Sequence, residues 1–367
     1  MSALLRDERS ARLRHAMEDA GLDLLVIAGN AWRSDYLRYA LDVTPMEGQA
    51  VACIARQGAS RLIVDNPVEA ARIAAEQTTL QVSWSSAPLA DVEEWLASSG
   101  TRRVGLASAH ASPQRLARGP LGATVAATTA WFDRLMVNKS PAEAEAVGRA
   151  VVLADAGYQV FCAASRVGRT EYELIADIES WFRAQGCPEN FVILGSGGQE
   201  VRGMHPPGER RLAVGDLVTT ELTPCVDGYY AQLCRTLVIG PPSGAQLRAF
   251  AVYLEALEAG IAAVRPGATH GEIAYAQNEV FRRHGLGDYV TSAYTRVRGH
   301  GLGLFVDGPH VLENVNLVLE PDMTLIVHPN TYHPEVGYMV LGDTVRVTPQ
   351  GCEVLTATPR ELISVPA

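Results

Sequence analysis

Apolar positions recur along the chain with two different spacings, and their order is the first clue to architecture. Between residues 8 and 20, Ala11, Leu13 and Met17 fall at a helical spacing that Gly21 closes, and residues 22–27 follow as an apolar run of strand length. Strands are predicted again at 50–54 and 61–64, helices at 67–76 and 89–98, and a further strand at 104–106. Helices and strands mixed in this way predict a small α/β domain.

At Asn138-Lys139-Ser140-Pro141 a helix-start signal appears, with Ser140 at the N-cap and Pro141 at the first helical position, and it opens a long helix that runs to about residue 164. The domain boundary is placed there, giving an N-terminal α/β domain over 1–136 and a second domain over 137–367. The second domain contains an echo of itself. Arg166, Gly168, Thr170, Glu173, Phe182, Arg183 and Gly186 return as Arg265, Gly267, Thr269, Glu272, Phe281, Arg282 and Gly285, at a constant spacing of 99 residues. In each copy the Thr is an N-cap, the Glu three residues on completes a capping box, and the Gly ends the helix. Capping alone does not require the upstream Arg and Gly or the downstream Phe-Arg, so the pattern reads as an internal duplication. Strand-like segments at 191–194, 217–222, 237–239, 325–327 and 345–347 surround the copies. Two such halves bury their helices on one side of a shared curved sheet and leave the other face as the place for a site.

The chain has 367 residues, enough for two cores, and a hydrophobic share of 47% with 20% charged residues is ordinary globular composition. Thirty-one Lys and Arg against 41 Asp and Glu give a net charge of −10, which repels phosphate backbones and anionic lipid, and no basic patch overrides it. Nucleic acid and membrane are therefore not expected as partners. No apolar run approaches the roughly 18 residues that cross a bilayer, and a cytoplasmic protein acting on a small molecule is expected. Cys53, Cys162, Cys187, Cys225, Cys234 and Cys352 show no CxxC pairing, which predicts reduced thiols.

Five strings occur in order through the second domain. They are Lys139-Ser140-Pro141-Ala142-Glu143; Gly215-Asp216-Leu217-Val218 with Asp227-Gly228-Tyr229-Tyr230 and Arg235-Thr236; Gly299-His300-Gly301-Leu302-Gly303; Leu319-Glu320-Pro321-Asp322-Met323; and Gly342-Asp343-Thr344-Val345. Together with the duplication they resemble the pita-bread family of methionine aminopeptidase, prolidase, aminopeptidase P and creatinase. The resemblance implies a two-domain α/β enzyme: a small N-terminal α/β domain and a C-terminal duplicated α+β pita-bread, creatinase-like domain. It also implies a homodimer in which one subunit's N-terminal domain covers the other's pocket, with Trp32-Arg33-Ser34-Asp35-Tyr36 as the loop expected to reach across.

Metal-dependent members of that family hold two divalent ions with two aspartates, a histidine and two glutamates. The matching positions here carry Glu221, Gln232, His300, His328 and Gly342. A glycine and a neutral amide cannot bridge a metal pair, so no metal and no cofactor are expected, with a mononuclear site of His300, His328 and Glu221 as the alternative. Creatinase hydrolyses a C–N bond without metal through a histidine proton shuttle, and the matching place here holds His205. Imidazole suits that role because it titrates near neutrality. The two glutamates with which creatinase grips a guanidinium match Cys234 and His328, so a neutral or anionic amide is expected instead, with Arg202, Arg296 and Arg298 as carboxylate clamps.

The expected enzyme is thus a metal-independent hydrolase of a C–N bond in a small substrate. His205 activates water, Glu221 and His328 orient it, and His300 donates to the developing oxyanion. Gln232, Cys234, Arg202, Arg298, His310 and His333 are expected against the substrate, and Cys234 becomes a nucleophile only beside a base. A Xaa-Pro peptidase relative, a lyase of the same fold and an inactive binding protein remain open. His15, His110, His270 and His284 are read as surface residues.

Overall fold

The computed structural model describes residues 3–99, 103–107 and 122–366; His110 lies outside them. The chain divides into two compact units, Met1–Met136 and Val137–Ala367. The first unit runs α1 (Ala3–Asp19), β1 (Leu24–Asn30), α2 (Asp35–Leu41), β2 (Gln49–Ala55), β3 (Arg61–Val64), α3 (Pro67–Glu76), β4 (Gln81–Trp84), α4 (Pro88–Ser99), β5 (Val104–Ala107) and α5 (Gly122–Val137). Its sheet has the order β4-β3-β2-β1-β5, with β1 antiparallel to β2 and parallel to β5. Leu24, Val26, Val51 and Cys53 of the sheet pack against Val92 and Leu96 of α4. The start of α3 shows why these residues form a helix there: the Asn66 side chain accepts from the Val68 and Glu69 amides, and Pro67 fills a position that needs no donor.

The segment 32–36, read as a loop, is only half a loop. The helix α2 begins at Asp35, and the buried Tyr36 donates its hydroxyl to Asp133 Oδ1 at 2.5 Å, while Trp32 is 89% exposed. The seven-residue helix is too short for its period to show in the sequence.

The second unit opens with α6 (Pro141–Ala164) and α7 (Glu171–Ala184), followed by β6 (Asn190–Gly197), β7 (Leu217–Val226), β8 (Tyr229–Tyr230) and β9 (Leu233–Ile239). It repeats with α8 (Gly244–Ala263), α9 (His270–Arg283), β10 (Gly299–Gly301), β11 (Thr324–Val327), β12 (Asn330–His333), β13 (Gly337–Val340), β14 (Asp343–Thr348), β15 (Gly351–Val354) and β16 (Ile363–Val365). The duplication extends to single hydrogen bonds. Thr170 and Thr269 both close capping boxes; Gly168 and Gly267 share a left-handed φ of 84°, and their amides donate to Leu212 O and Leu319 O at 2.8 and 2.9 Å.

One sheet has the order β16-β9-β7-β6 with β8 on β7, a second the order β10-β11-β14-β15, and β12 pairs β13. Phe161, Leu174, Ile178 and Phe182 of α6 and α7 pack under the first sheet against Leu222 and Leu237. Tyr253, Leu257, Ile273 and Phe281 of α8 and α9 pack under the second against Leu325 and Val345. Burying each of these large apolar side chains contributes about 1.5–3 kcal/mol. The two sheets meet at an antiparallel bridge between Cys234 and Gly342. Buried Arg235 clamps that junction, donating to Cys234 O and Gly342 O at 2.9 and 2.8 Å and pairing with Asp343 at 2.8 Å. Among the described residues no helix is long and apolar enough to cross a membrane.

Candidate active site

The faces of β6, β7, β10 and β13 turned away from the helices enclose a cavity of about 660 Å³. Buried Glu221, Gln232, His300, His328 and Tyr338, with half-buried Ile193, form its floor, and Arg202, Tyr294, Arg296, Asp307 and Asn330 continue its wall. Glu221 sits in register between Ile193 of β6 and Cys234 of β9, and strand alternation turns it to the same face as Thr219. One of its oxygens, Oε2, accepts from Gln232 Nε2 at 3.1 Å. Burial, only partly offset by the charge of Arg296, pushes its carboxyl up to about 7, and the charge of Asp307 adds to the rise.

His300, opposite Ile326 in the β10–β11 pair, places Nδ1 3.1 Å from the Gly301 carbonyl. A carbonyl only accepts, so the ring proton sits on Nδ1 and Nε2 is left as an acceptor. Burial lowers the pKa of His300 and so favours the neutral ring. This geometry reverses the role expected from the sequence: donation to an oxyanion through Nε2 needs the imidazolium that burial disfavours. His328 follows β11 directly, and its ring stands edge-on to His300 with centroids 5.5 Å apart. Burial first, and His300 second, hold His328 well below the usual histidine range; its Nδ1 is buried without a partner among the described residues.

Asp307 anchors the rim. Its carboxylate takes Arg296 Nη2 at 2.5 Å and lies 3.3 Å from His310 Nε2 and 3.9 Å from His300 Nδ1. Burial works against its charge, but the Arg296 hydrogen bond and the two histidines outweigh it and hold the carboxyl low.

The side chains at the five positions of the implied metal pair do not fit one. Gly342 offers no donor, and a Cβ there would lie 2.6 Å from His328 Cβ and 3.0 Å from Val327 O, so the backbone leaves no room for a carboxylate. Gln232 brings a neutral amide, its Nε2 bonded to Glu221, where the pair needs a bridging carboxylate charge. Among the described residues no three His, Cys, Asp or Glu side chains are grouped to hold a metal ion, so the mononuclear set of His300, His328 and Glu221 is not assembled either.

Several residues expected at the site stand elsewhere. His205 does not line the cavity: its Nδ1 faces Pro206 O at 2.9 Å and its Nε2 lies 3.9 Å from buried Glu171. A Cβ on Gly195 would meet that Nε2 at 3.7 Å and Thr219 Oγ1 at 3.5 Å, which puts the ring one strand step along from Glu221. Cys234 is sealed among Leu302, Ile326, Tyr338 and Val340, and burial, with Glu221 second, raises its thiol well above the usual range. Arg298 lies behind the cavity wall, over the Phe281 ring at 4.8 Å, and burial lowers it to about 10. His310 is half-exposed beside Asp307, and His333 accepts the Glu335 amide at 3.2 Å within the β12–β13 hairpin. Of the histidines read as surface residues, His15 and His284 are exposed, but His270 is 1% exposed. As the first residue of α9 it tucks inward, its Nδ1 2.9 Å from the His310 carbonyl. Arg202 does reach the cavity, with its guanidinium 5.7 Å from the Tyr332 ring centre.

Sequence reasoning missed Asp307, Asn330, Tyr294 and Tyr338 as cavity residues. Asp307 carried a signal, a lone acid in the apolar stretch Leu304-Phe305-Val306 just after Gly-His-Gly-Leu-Gly. The other three reach the cavity through long-range packing that no local pattern marks.

Comparison with known proteins places these observations in a family. Residues 145–349 match the model of metallopeptidase family M24, and residues 9–135 match the Creatinase/Prolidase N-terminal domain. The chain is 29% identical over 232 residues to a Xaa-Pro dipeptidase of Pyrococcus furiosus, covering 62% of this chain and 66% of that protein. It is 33% identical over 202 residues to a probable dipeptidase PepE of Mycobacterium bovis, covering 54% of this chain and 53% of that one. The matches thus span just under two-thirds and about half of those relatives. The solved structure of dipeptidase PepE from Mycobacterium ulcerans superposes with a TM-score of 0.82 at 27% identity, covering 100% of both chains. With more than half its length matched by the family model, the chain belongs to the M24 metallopeptidases and has their two-domain pita-bread architecture.

Proposed function

We propose that the chain hydrolyses a C–N bond in a small amide or peptide, that it does so without the two-metal centre of its family, and that Glu221 moves the proton. The environment of Glu221 supports this most. A buried carboxyl bonded to a neutral amide and carried to about 7 can take a proton from water and return it to a leaving nitrogen at the same pH. In the first step ionised Glu221 accepts one water proton while His300 Nε2 accepts a hydrogen bond from the other, and the oxygen attacks the carbonyl carbon. In the second, the neutral carboxyl protonates the nitrogen as the C–N bond breaks.

Arg202 supports a substrate with a carboxylate: it lines the mouth, is exposed, and among the described residues has no acidic partner. The names of the relatives, Xaa-Pro dipeptidase and dipeptidase, support a peptide as the amide to try first. A homodimer belongs to the same proposal, and light scattering on the purified protein checks it.

The test is turnover of a panel of Xaa-Pro dipeptides and N-acyl amino acids by the wild type and by Glu221→Gln. The variant is expected to lose about 10²–10⁴ in kcat while it stays folded. A variant within about threefold of wild type would remove Glu221 from the chemistry.

A further inference from the structure

We infer that Asn330 is a further catalytic residue, the amide that donates to the substrate's carbonyl oxygen as charge develops there, and that Arg298 and Thr295 aim it. The inference rests on the hydrolase reading and supplies the oxyanion donor that His300, with Nε2 as an acceptor, does not provide.

Asn330 opens β12, is 7% exposed, and lines the same cavity as Glu221 and His300. Its Oδ1 accepts from Thr295 Oγ1 at 2.6 Å and faces Arg298 Nη1 at 3.4 Å, and the same Nη1 bonds the Asn330 backbone carbonyl. A guanidinium only donates, so the amide atom turned toward it is the oxygen and the NH₂ end points the other way. That Nδ2 has no partner among the described residues, yet it is not sealed in protein as Gln232 Oε1 and His328 Nδ1 are. A primary amide nitrogen without a protein acceptor on a cavity wall is a donor waiting for a ligand's acceptor.

The elements behind it are tied together by hydrogen bonds. Arg298 is 2% exposed, its Nε donates to Asn278 Oδ1 at 2.5 Å, and Gln277 Nε2 holds its carbonyl at 3.0 Å. Among the described residues the Nη2 of this buried cation has no hydrogen-bond partner, so its charge is only partly compensated, and its field draws density toward Oδ1 and strengthens the N–H donors on the cavity side. A donor fixed before the reaction stabilises an oxyanion with no reorganisation at the moment charge appears. Arg298 and Thr295 act through Asn330 and are positioning residues.

The experiment takes the panel substrate that the wild type turns over best and measures kcat, KM and melting temperature for Asn330→Ala, Asn330→Asp and Thr295→Val. Asn330→Ala is expected to lower kcat by about 10²–10³ with KM within about threefold. Asn330→Asp keeps the size, loses the donors and is expected to fare no better. Thr295→Val is expected to lose less, in kcat alone, with its melting temperature near that of wild type; a merely structural role would move melting temperature and leave kcat per folded site unchanged. Turnover that needs Glu221 but is unaffected by Asn330→Ala, or a loss borne by KM, overturns this inference and leaves the hydrolase reading standing. A wild type that turns over nothing on the panel overturns both.

Discussion

Replacing Glu221 with glutamine changes one proton-binding group in the cavity and little of its shape, and it tests the electrostatics of the site without a substrate. A carboxyl raised by burial from 4.5 to about 7 binds its proton more tightly in the folded protein than in the unfolded chain. Between those values the folded state holds more protons, so its stability falls as pH rises and levels off above about 7. At about 1.4 kcal/mol per pH unit, ionising Glu221 withholds about 3 kcal/mol from the folded protein above neutrality and less than about 1 at pH 5. Glutamine carries no such cost. Glu221→Gln should therefore be nearly neutral at pH 5 and more stable than wild type at pH 8, the gap opening by roughly 2.5 kcal/mol. For a unit of this size that is a rise of roughly 5–10 °C in the melting transition at pH 8, read by circular dichroism. Equal effects at the two pH values, or a loss of stability at pH 8, would mean that Glu221 is ionised and satisfied in the fold, and the reasoning would fail.

The other expectations reach different parts of the site. Gly342→Ala, whose Cβ would come 2.6 Å from that of His328, should cost about 1–3 kcal/mol by urea denaturation, and a neutral result would show that the two segments part freely. Cys234, sealed and raised by burial, should resist a thiol reagent at pH 8 while Cys234→Ala keeps most of kcat; fast stoichiometric labelling with loss of activity would revive it as a nucleophile. Arg202→Ala should raise KM for carboxylate substrates about tenfold and spare kcat, whereas an unchanged KM would remove it as a clamp. His205→Ala should leave kcat within about threefold, since the ring lies outside the cavity; a loss near that of Glu221→Gln would restore His205 as the base.

The duplication was legible because capping is local. Thr170 with Glu173 and Thr269 with Glu272 each satisfy amides within one turn, so the residues that make the structure lie next to one another in the chain. The positions of Glu221, His300 and His328 were legible because strings such as Gly-His-Gly mark them, and these three do line one cavity. Roles were harder to read than positions. The proton on His300 is set by the carbonyl of Gly301, and the value of Glu221 by burial, neither of which a linear pattern records. Asn330 was invisible for a related reason: Arg298 is 32 residues away in sequence and acts from behind the wall, where it was expected to be in front of it. His270 was misread because the first residue of an amphipathic helix can face either way, and its partner carbonyl is 40 residues distant.

The most direct test of a hydrolase without a metal pair is turnover of the panel by protein stripped with a chelator, with its metal content measured by plasma mass spectrometry on the same sample. The donor set predicts activity retained at less than about 0.1 equivalent of any transition metal. Activity that vanishes with the chelator and returns in proportion to one or two equivalents of a divalent ion, and is lost again in His300→Ala, would contradict the account.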